Sequence, residues 1–331
     1  MGPIAVFSGS AHPMLAQEIC RKLNVPLLPS SLQRFANDCM EVQLEANCRE
    51  RDVFLIQPIV APAQETLFEL LLMINAARGA SASRITAVMP HFAYARSDKK
   101  DRPRISIGGR LVADLLATAG ANRVLTITLH SPQVYGFFGI PVDHLHALNE
   151  LALHFKQYDL SNSVVVSPDL GNAKEAAAFA RLLGTGVAAA AKQRYSDDQV
   201  VISAIIGDVA GKDVIVLDDE IAKGSTVIEL INHLREQKVR SIRVACTHGL
   251  FADGAVQRIG NLEDVEEIVC TNTAPMNVEK TSPKLHVLSL APALAEAIRR
   301  IHNGESVSEL FAAQHTDPYV RALKRHPDER D

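Results

Sequence analysis

The chain has no pair of cysteines at redox or metal-binding spacing. Cys20, Cys39, Cys48, Cys246 and Cys270 are scattered and odd in number, a pattern of reduced thiols and not of a disulfide framework or a zinc site. It also lacks any apolar run near the ~18–20 residues of a membrane span, and its start lacks the basic and apolar stretches of a signal peptide. Met1-Gly2 is no myristoylation signal, because Val6 stands where Ser or Thr is wanted. Positive charge is not in surplus either. A net charge of −4 argues against a nucleic-acid binder and confines any attraction for polyanions to local patches. What is present is ordinary globular composition, 47% hydrophobic and 22% charged over 331 residues, enough for two domains with their own cores. The chain reads as a cytoplasmic metabolic protein.

The most informative stretch is Val214–Glu229, VIVLDDEIAKGSTVIE. A β-branched apolar strand runs into Asp218 and Asp219, then into a Gly-Ser-Thr turn that opens an amphipathic helix. Gly224 lets the backbone approach a ligand, while Ser225, Thr226 and the first N–H groups of the helix offer donors to an anion. Two carboxylates cannot serve that anion; they suit a sugar diol or a divalent cation beside it. A phosphorylated sugar presents both groups at this spacing. Aspartates that merely cap the following helix are the competing reading.

A repeat extends the argument. Asp52–Phe92 and Asp213–Phe251 each read as strand, turn, helix, strand, with Arg-Ile or Arg-Val leading the second strand. Such units predict mostly parallel sheets flanked by helices, with ligands at the carboxyl ends of the strands. The copies differ at the turn: Gln57-Pro58 stand where the second copy has Asp218-Asp219, and Pro62 to Gln64 replace its Lys-Gly-Ser. Only the second half keeps an anion cradle.

Four more segments carry possible chemistry. Arg96 to Arg110, RSDKKDRPRISIGGR, is a basic flap, either solvated or a lid over a polyphosphate. In VLTITLHSPQVYGFFG an apolar strand ends at His130, which either ligates a metal or satisfies a backbone group. In VVVSPDLGNAKEAAAFARLLG, Asp169 lies at a strand end, as a ligand or an N-cap. In GVAAAAKQRYSDDQV, Lys192 and Arg194 alternate in phase, so both project from one face of a strand.

Together these pieces resemble the ribose-phosphate pyrophosphokinase (phosphoribosyl pyrophosphate synthetase) family. The match runs from SGSAHPMLAQEI through PHFAYARSDKKDRPR, LHSPQVYGFFGIPVD, VVVSPDLGNAKEAA, GDVAGKDVIVLDDEIAKGST and CTHGLF to LAEAIRRIHNGESVSELF. The resemblance implies two similar phosphoribosyltransferase-type α/β domains, 1–147 with the flap and 148–311 with the sugar-phosphate loop, then a charged tail, 312–331. It implies transfer of the β,γ-diphosphoryl group of ATP to the C1 hydroxyl of ribose 5-phosphate. By the same resemblance Asp218 and Asp219 hold ribose hydroxyls, and Ala222, Lys223, Gly224, Ser225 and Thr226 form the 5-phosphate loop. Lys192 and Arg194 match the catalytic cations, and His130 and Asp169 match positions that bind Mg²⁺ with ATP. Phe35, Asn37, Arg96, Ser97 and Asp98 fall in ATP-contacting segments, with Phe35 matching an aromatic that stacks on adenine from a neighbouring subunit. A homo-oligomer, dimer or hexamer, follows from that sharing.

The chain also departs from the family pattern. Ala222, Lys223 and Ser225 replace a polar residue, Thr and Gly of the usual loop; Asn37 and Cys39 stand where acids are common; Ser97 replaces Gln and Thr128 replaces Asp. Two other classes fit parts of the pattern: a non-catalytic homologue assembled with an active synthetase, and a phosphoribosyltransferase acting on a nucleobase. The latter has no need of the flap or of Lys192 and Arg194.

Overall fold

The computed structural model describes residues 2–194, 200–276, 281–308 and 310, with Gln193, Arg194 and Val200 described by backbone alone. The tail expected over 312–331 and the side chain of Arg194 lie outside the described residues.

The first half runs β1 (Ile4–Ser8), α1 (Pro13–Leu23), β2 (Leu27–Leu28), β3 (Ser30–Arg34), β4 (Met40–Leu44), β5 (Asp52–Ile56), α2 (Ala63–Gly79), β6 (Arg84–Met89), α3 (Gly108–Ala119), β7 (Arg123–Ile127) and β8 (Val142–Leu145). The second runs α4 (Leu148–Phe155), β9 (Ser163–Ser167), α5 (Ala173–Leu183), β10 (Gly186–Arg194), β11 (Val200–Ile206), β12 (Asp213–Ile221), α6 (Ser225–Glu236), β13 (Ser241–Gly249), α7 (Ala255–Gly260), β14 (Val265–Thr271), β15 (Leu285–Leu288) and α8 (Ala291–Asn303).

Two large sheets result, ordered β2-β1-β5-β6-β7-β8 and β11-β10-β9-β12-β13-β14-β15, with β3 and β4 as a separate hairpin. All pairings in the large sheets are parallel except β10 with β11. Central strands covered on both faces must be apolar throughout, and all five residues of DVFLI in β5 are buried. The repeat is structural. β5 lies between β1 and β6 as β12 lies between β9 and β13, each joined to its next strand by a helix. An Asp–Arg pair closes both units: Asp52 accepts from Arg84, and Asp213 from Arg240. By register the position equivalent to Arg84 is Ser241, so the second pair is made by the arginine just before it and not by Arg243, which lies opposite Ile215.

The last helix crosses back. Leu294, Ala297, Ile298 and Ile301 of α8 are buried against Val6, Phe54, Ile56 and Val88 of the first sheet. Its C-terminal end is fixed there too, with the Ile301 carbonyl accepting from Arg84 and His302 Nδ1 2.8 Å from Asp52. α8 falls within 148–311 in sequence, yet it completes the first core. The reason is its apolar stripe, which fits the face that α1 leaves uncovered beside it. α4, by contrast, packs with α5 on the second sheet.

Candidate active site

The carboxyl ends of β7, β9 and β12 converge on a cavity of about 1710 Å³. Its lining includes His130, Asp169, Lys192, Asp218, Asp219 and Asp98. The structure therefore brings together residues that the sequence scatters over both halves.

Each is placed by its own local geometry. β12 does not stop at the aspartates; it continues to Ile221, with Glu220 in register with His248 and Ile221 with Gly249. The paired carboxylates lie inside the strand's last turn of pleats, which fixes their direction more firmly than a loop would. Gly224 then adopts φ +74° and caps α6, a left-handed conformation that glycine takes without a Cβ penalty. Ser225 is the first helical residue, so the family's glycine is not needed there. The donors read from the sequence stand at a helix N-terminus as expected. β7 ends earlier than its apolar run, at Ile127, because Thr128 at φ +39° turns the chain out of the sheet. That unusual backbone is held from both sides, by Thr128 N–H on the Leu145 carbonyl and by His248 Nε2 on the Thr128 carbonyl at 2.9 Å. His130 follows at once and is aimed across to the second half.

Charges lining the cavity are paired with one another. His130 Nδ1 lies 2.6 Å from Asp219 Oδ2, and Lys192 Nζ lies 2.5 Å from Asp169 Oδ2. Burial works against the charge of Asp219, but His130, the Asp218 hydrogen bond and the Arg96 charge outweigh it and hold this carboxyl below its usual range. The same hydrogen bond raises His130 against its burial. Asp218 goes the other way: burial and the adjacent Asp219 charge push it well above the ordinary carboxyl value. Burial likewise opposes the charge of Asp169, yet Lys192 and the Asn172 N–H bring it down. A register shift between Ala191 and Lys192 accompanies this pair, with Ser203 on β11 as the extra residue, its hydroxyl donating to the Ala191 carbonyl.

Other expected residues stand apart from this cavity. Phe35 and Asn37 occupy the exposed tip between β3 and β4, where the Asn37 side chain accepts from the Cys39 N–H. Arg96 contacts Glu220 across the seam between the halves. Ser97 closes the basic flap: its hydroxyl accepts the Gly108 N–H and its carbonyl the Gly109 N–H. The backbone of Arg194 lies on β10.

Two lining or adjoining acids were missed in the sequence. Glu175, in the first turn of α5, is pushed up to about 7 by burial and by the Asp219 charge; acids are so common in a first helical turn that its spacing carried no signal. Glu220 stood beside Asp219 and passed as part of the strand.

The first half shows what the same fold looks like with the site closed. Glu69 Oε1 accepts the Ser10 N–H at 2.8 Å, while its Oε2 accepts the Ser10 hydroxyl and the Gln57 amide, each at 2.6 Å. Gln57 stands at the strand end equivalent to Asp218, so an internal carboxylate fills this region.

Residues 4–120 match the model of the N-terminal domain of ribose phosphate pyrophosphokinase, and 197–312 that of the phosphoribosyl synthetase-associated domain. A ribose-phosphate pyrophosphokinase of Deinococcus radiodurans is 49% identical over 93% of this chain and 98% of its own. The chain belongs to the ribose-phosphate pyrophosphokinase family. A Streptomyces coelicolor protein provisionally named for the same activity is 72% identical over 95% of this chain and 99% of its own. The crystal structure of phosphoribosylpyrophosphate synthetase from Mycobacterium smegmatis superposes with a TM-score of 0.86 at 39% identity, covering 91% of this chain and 99% of that one. As a member of the pyrophosphokinase family the protein is a phosphoryl-transferring enzyme with two phosphoribosyltransferase-type halves. No helix among the described residues is long and apolar enough to cross a membrane.

Proposed function

We propose that this site binds ribose 5-phosphate and ATP and moves the β,γ-diphosphoryl group as one unit. The observation that supports it best is the convergence of Asp218, Asp219, His130, Asp169 and Lys192 on one cavity, with the Gly224 turn following Asp218 and Asp219 along the chain. In this reading the 5-phosphate sits on the loop from Ala222 to Thr226, against the first N–H groups of α6. Asp218 and Asp219 take the ribose hydroxyls. The C1 hydroxyl oxygen attacks the β-phosphorus as the bond to the α,β-bridging oxygen breaks; AMP leaves, and the hydroxyl proton is lost. Lys192, with Arg194 further along β10, neutralises charge on the transferred group, which is where a phosphoryl transition state needs it.

His130 and Asp169 fit a magnesium site that substrate phosphates complete. Among the described residues there is no group of three or more candidate metal ligands. His130 uses Nδ1 on Asp219 and leaves Nε2 for the cavity, the arrangement in which a carboxylate orients a histidine ligand. Mg²⁺ bound there with the nucleotide supplies charge neutralisation on the phosphates. To the same reading belong ATP contacts from Phe35, Asn37, Arg96, Ser97 and Asp98, with Phe35 stacking on adenine, and a homo-oligomer, dimer or hexamer. An exposed Phe35 supports contact with a neighbouring subunit. A cytoplasmic location also belongs to it, in keeping with five cysteines scattered without a redox or metal-binding spacing.

The test is to mix the purified chain with Mg-ATP and ribose 5-phosphate and follow AMP and phosphoribosyl pyrophosphate together. Equal formation of both is expected, and Lys192→Ala should lower turnover by about 10²–10³-fold with little change in ATP affinity. ADP in place of AMP would mean a simple kinase, and neither product would overturn the reading.

A further inference from the structure

Glu220 has no part in the reaction as read above, yet it joins the two halves at the nucleotide side. His91 Nε2 lies 3.0 Å from its Oε2, and Arg96 Nη2 lies 3.3 Å from its Oε1. Both partners come from the first half, while Glu220 is on β12. His91 Nδ1 is 2.6 Å from the Ile59 carbonyl, which can only accept, so Nδ1 carries a hydrogen. The contact at Nε2 then needs one further proton, held either by the imidazole or by the carboxyl. Whichever holds it, Glu220, His91 and Arg96 together carry one positive charge. His91 is buried, whereas the Arg96 side chain keeps 43% of its surface. The cluster is a rigid base with one cationic end open to solvent. An arginine left to itself gives up much of its rotamer freedom when it is fixed on a ligand. Here part of that ordering is done in advance.

We propose that Glu220 is a positioning residue for nucleotide binding, setting the direction of the Arg96 guanidinium through an inter-half contact. The inference rests on Arg96 being an ATP contact, as in the reading above. Burial raises Glu220, but the His91 hydrogen bond and the Arg96 charge outweigh it, which keeps the carboxylate available to Arg96.

The test is a mutant cycle read by calorimetry with a non-hydrolysable ATP analogue and magnesium, together with the KM for ribose 5-phosphate. Glu220→Gln keeps a hydrogen-bonding partner for His91 and loses the charge that holds Arg96. It should weaken the analogue roughly five- to tenfold, with the ribose 5-phosphate KM within about twofold. Arg96→Ala should weaken the analogue at least as much, and the double variant no more than Arg96→Ala alone. Glu220→Asp, which draws the charge back by one methylene, should fall between parent and Gln. Unchanged affinity in Glu220→Gln overturns the proposal, as does a double variant that multiplies the two effects. Tighter binding also overturns it, since Glu220 would then compete with nucleotide for Arg96. A parent that forms AMP with an unaffected Glu220→Gln sinks this inference alone. A parent that binds analogue without forming AMP sinks the diphosphoryl reading alone, and one that binds no nucleotide removes both.

Discussion

Adjacent carboxylates on one strand meet opposite fates because their neighbours differ. Asp219 faces His130 and stays charged, whereas Asp218 is half-buried next to that charge and has no such partner cation among the described residues, its Oδ1 accepting the Asp219 N–H at 3.0 Å. An acid whose folded value lies above its unfolded value of about 4 costs stability as pH rises beyond the unfolded value, because the folded chain resists ionisation. Asn cannot ionise and has nearly the same shape. Asp218→Asn should therefore leave thermal stability at pH 7 equal or higher. Its ribose 5-phosphate affinity should still fall by roughly tenfold or more, the cost of losing charge-assisted hydrogen bonds. Calorimetric binding and a melting curve on the same variant check both, and an effect confined to ATP would reverse the assignment. The importance of the pair was legible in the sequence. Which carboxylate carries charge was not, because that depends on a histidine 89 residues away.

At the scale of elements, the loop between β12 and α6 is fixed by Gly224. A side chain there would suffer the left-handed φ of +74°, and its Cβ would lie 3.1 Å from Ile259 Cδ1 and 3.3 Å from Ala255 Cβ of α7. Gly224→Ala should destabilise the chain by about 1–2 kcal/mol from the backbone alone, and somewhat more from displacing α7. Ribose 5-phosphate KM should rise with it; a normal melting curve and an unchanged KM would show that α6 does not depend on this turn. The need for glycine at one position was readable from the Lys-Gly-Ser-Thr order. That Ser225 is comfortable was not, since it depends on where the first helical residue falls. The ends of β7 and β12 likewise escaped the apolar pattern. Their lengths are set by Thr128 turning out of the sheet and by the pairing of Glu220 and Ile221 with β13.

For the whole molecule, the two halves meet through buried polar side chains, and His248 there, with His144 of β8, sets an acid limit. Burial pushes His248 down to about 4 and His144 to about 3, with nearby histidine charge adding in each case. A histidine whose folded value is depressed keeps its full contribution above the unfolded value near 6.5. Below it the unfolded chain takes up a proton that the folded chain refuses, so stability falls with pH until about 4 for His248 and about 3 for His144. Each contributes a slope of up to about 1.4 kcal/mol per pH unit in that window. His248→Gln, which can still donate to the Thr128 carbonyl, should flatten denaturant-derived stability between pH 6 and 4.5. An unaltered slope would place the acid sensitivity elsewhere.

By itself the sequence determined that the chain is α/β, that it contains two related units, and that only the second carries a Gly-Ser-Thr turn opening a helix. These follow from local rules: continuous apolar runs make buried parallel strands, and a glycine between strand and helix makes an anion cradle. Tertiary structure alone decided that α8 belongs to the first core, that Glu69 closes the first half's equivalent region, and that His130 meets Asp219, Lys192 meets Asp169 and Glu220 meets His91 and Arg96. Each of those outcomes depends on which surfaces and charges are brought within a few ångströms by packing, and spacing along a chain does not encode that distance.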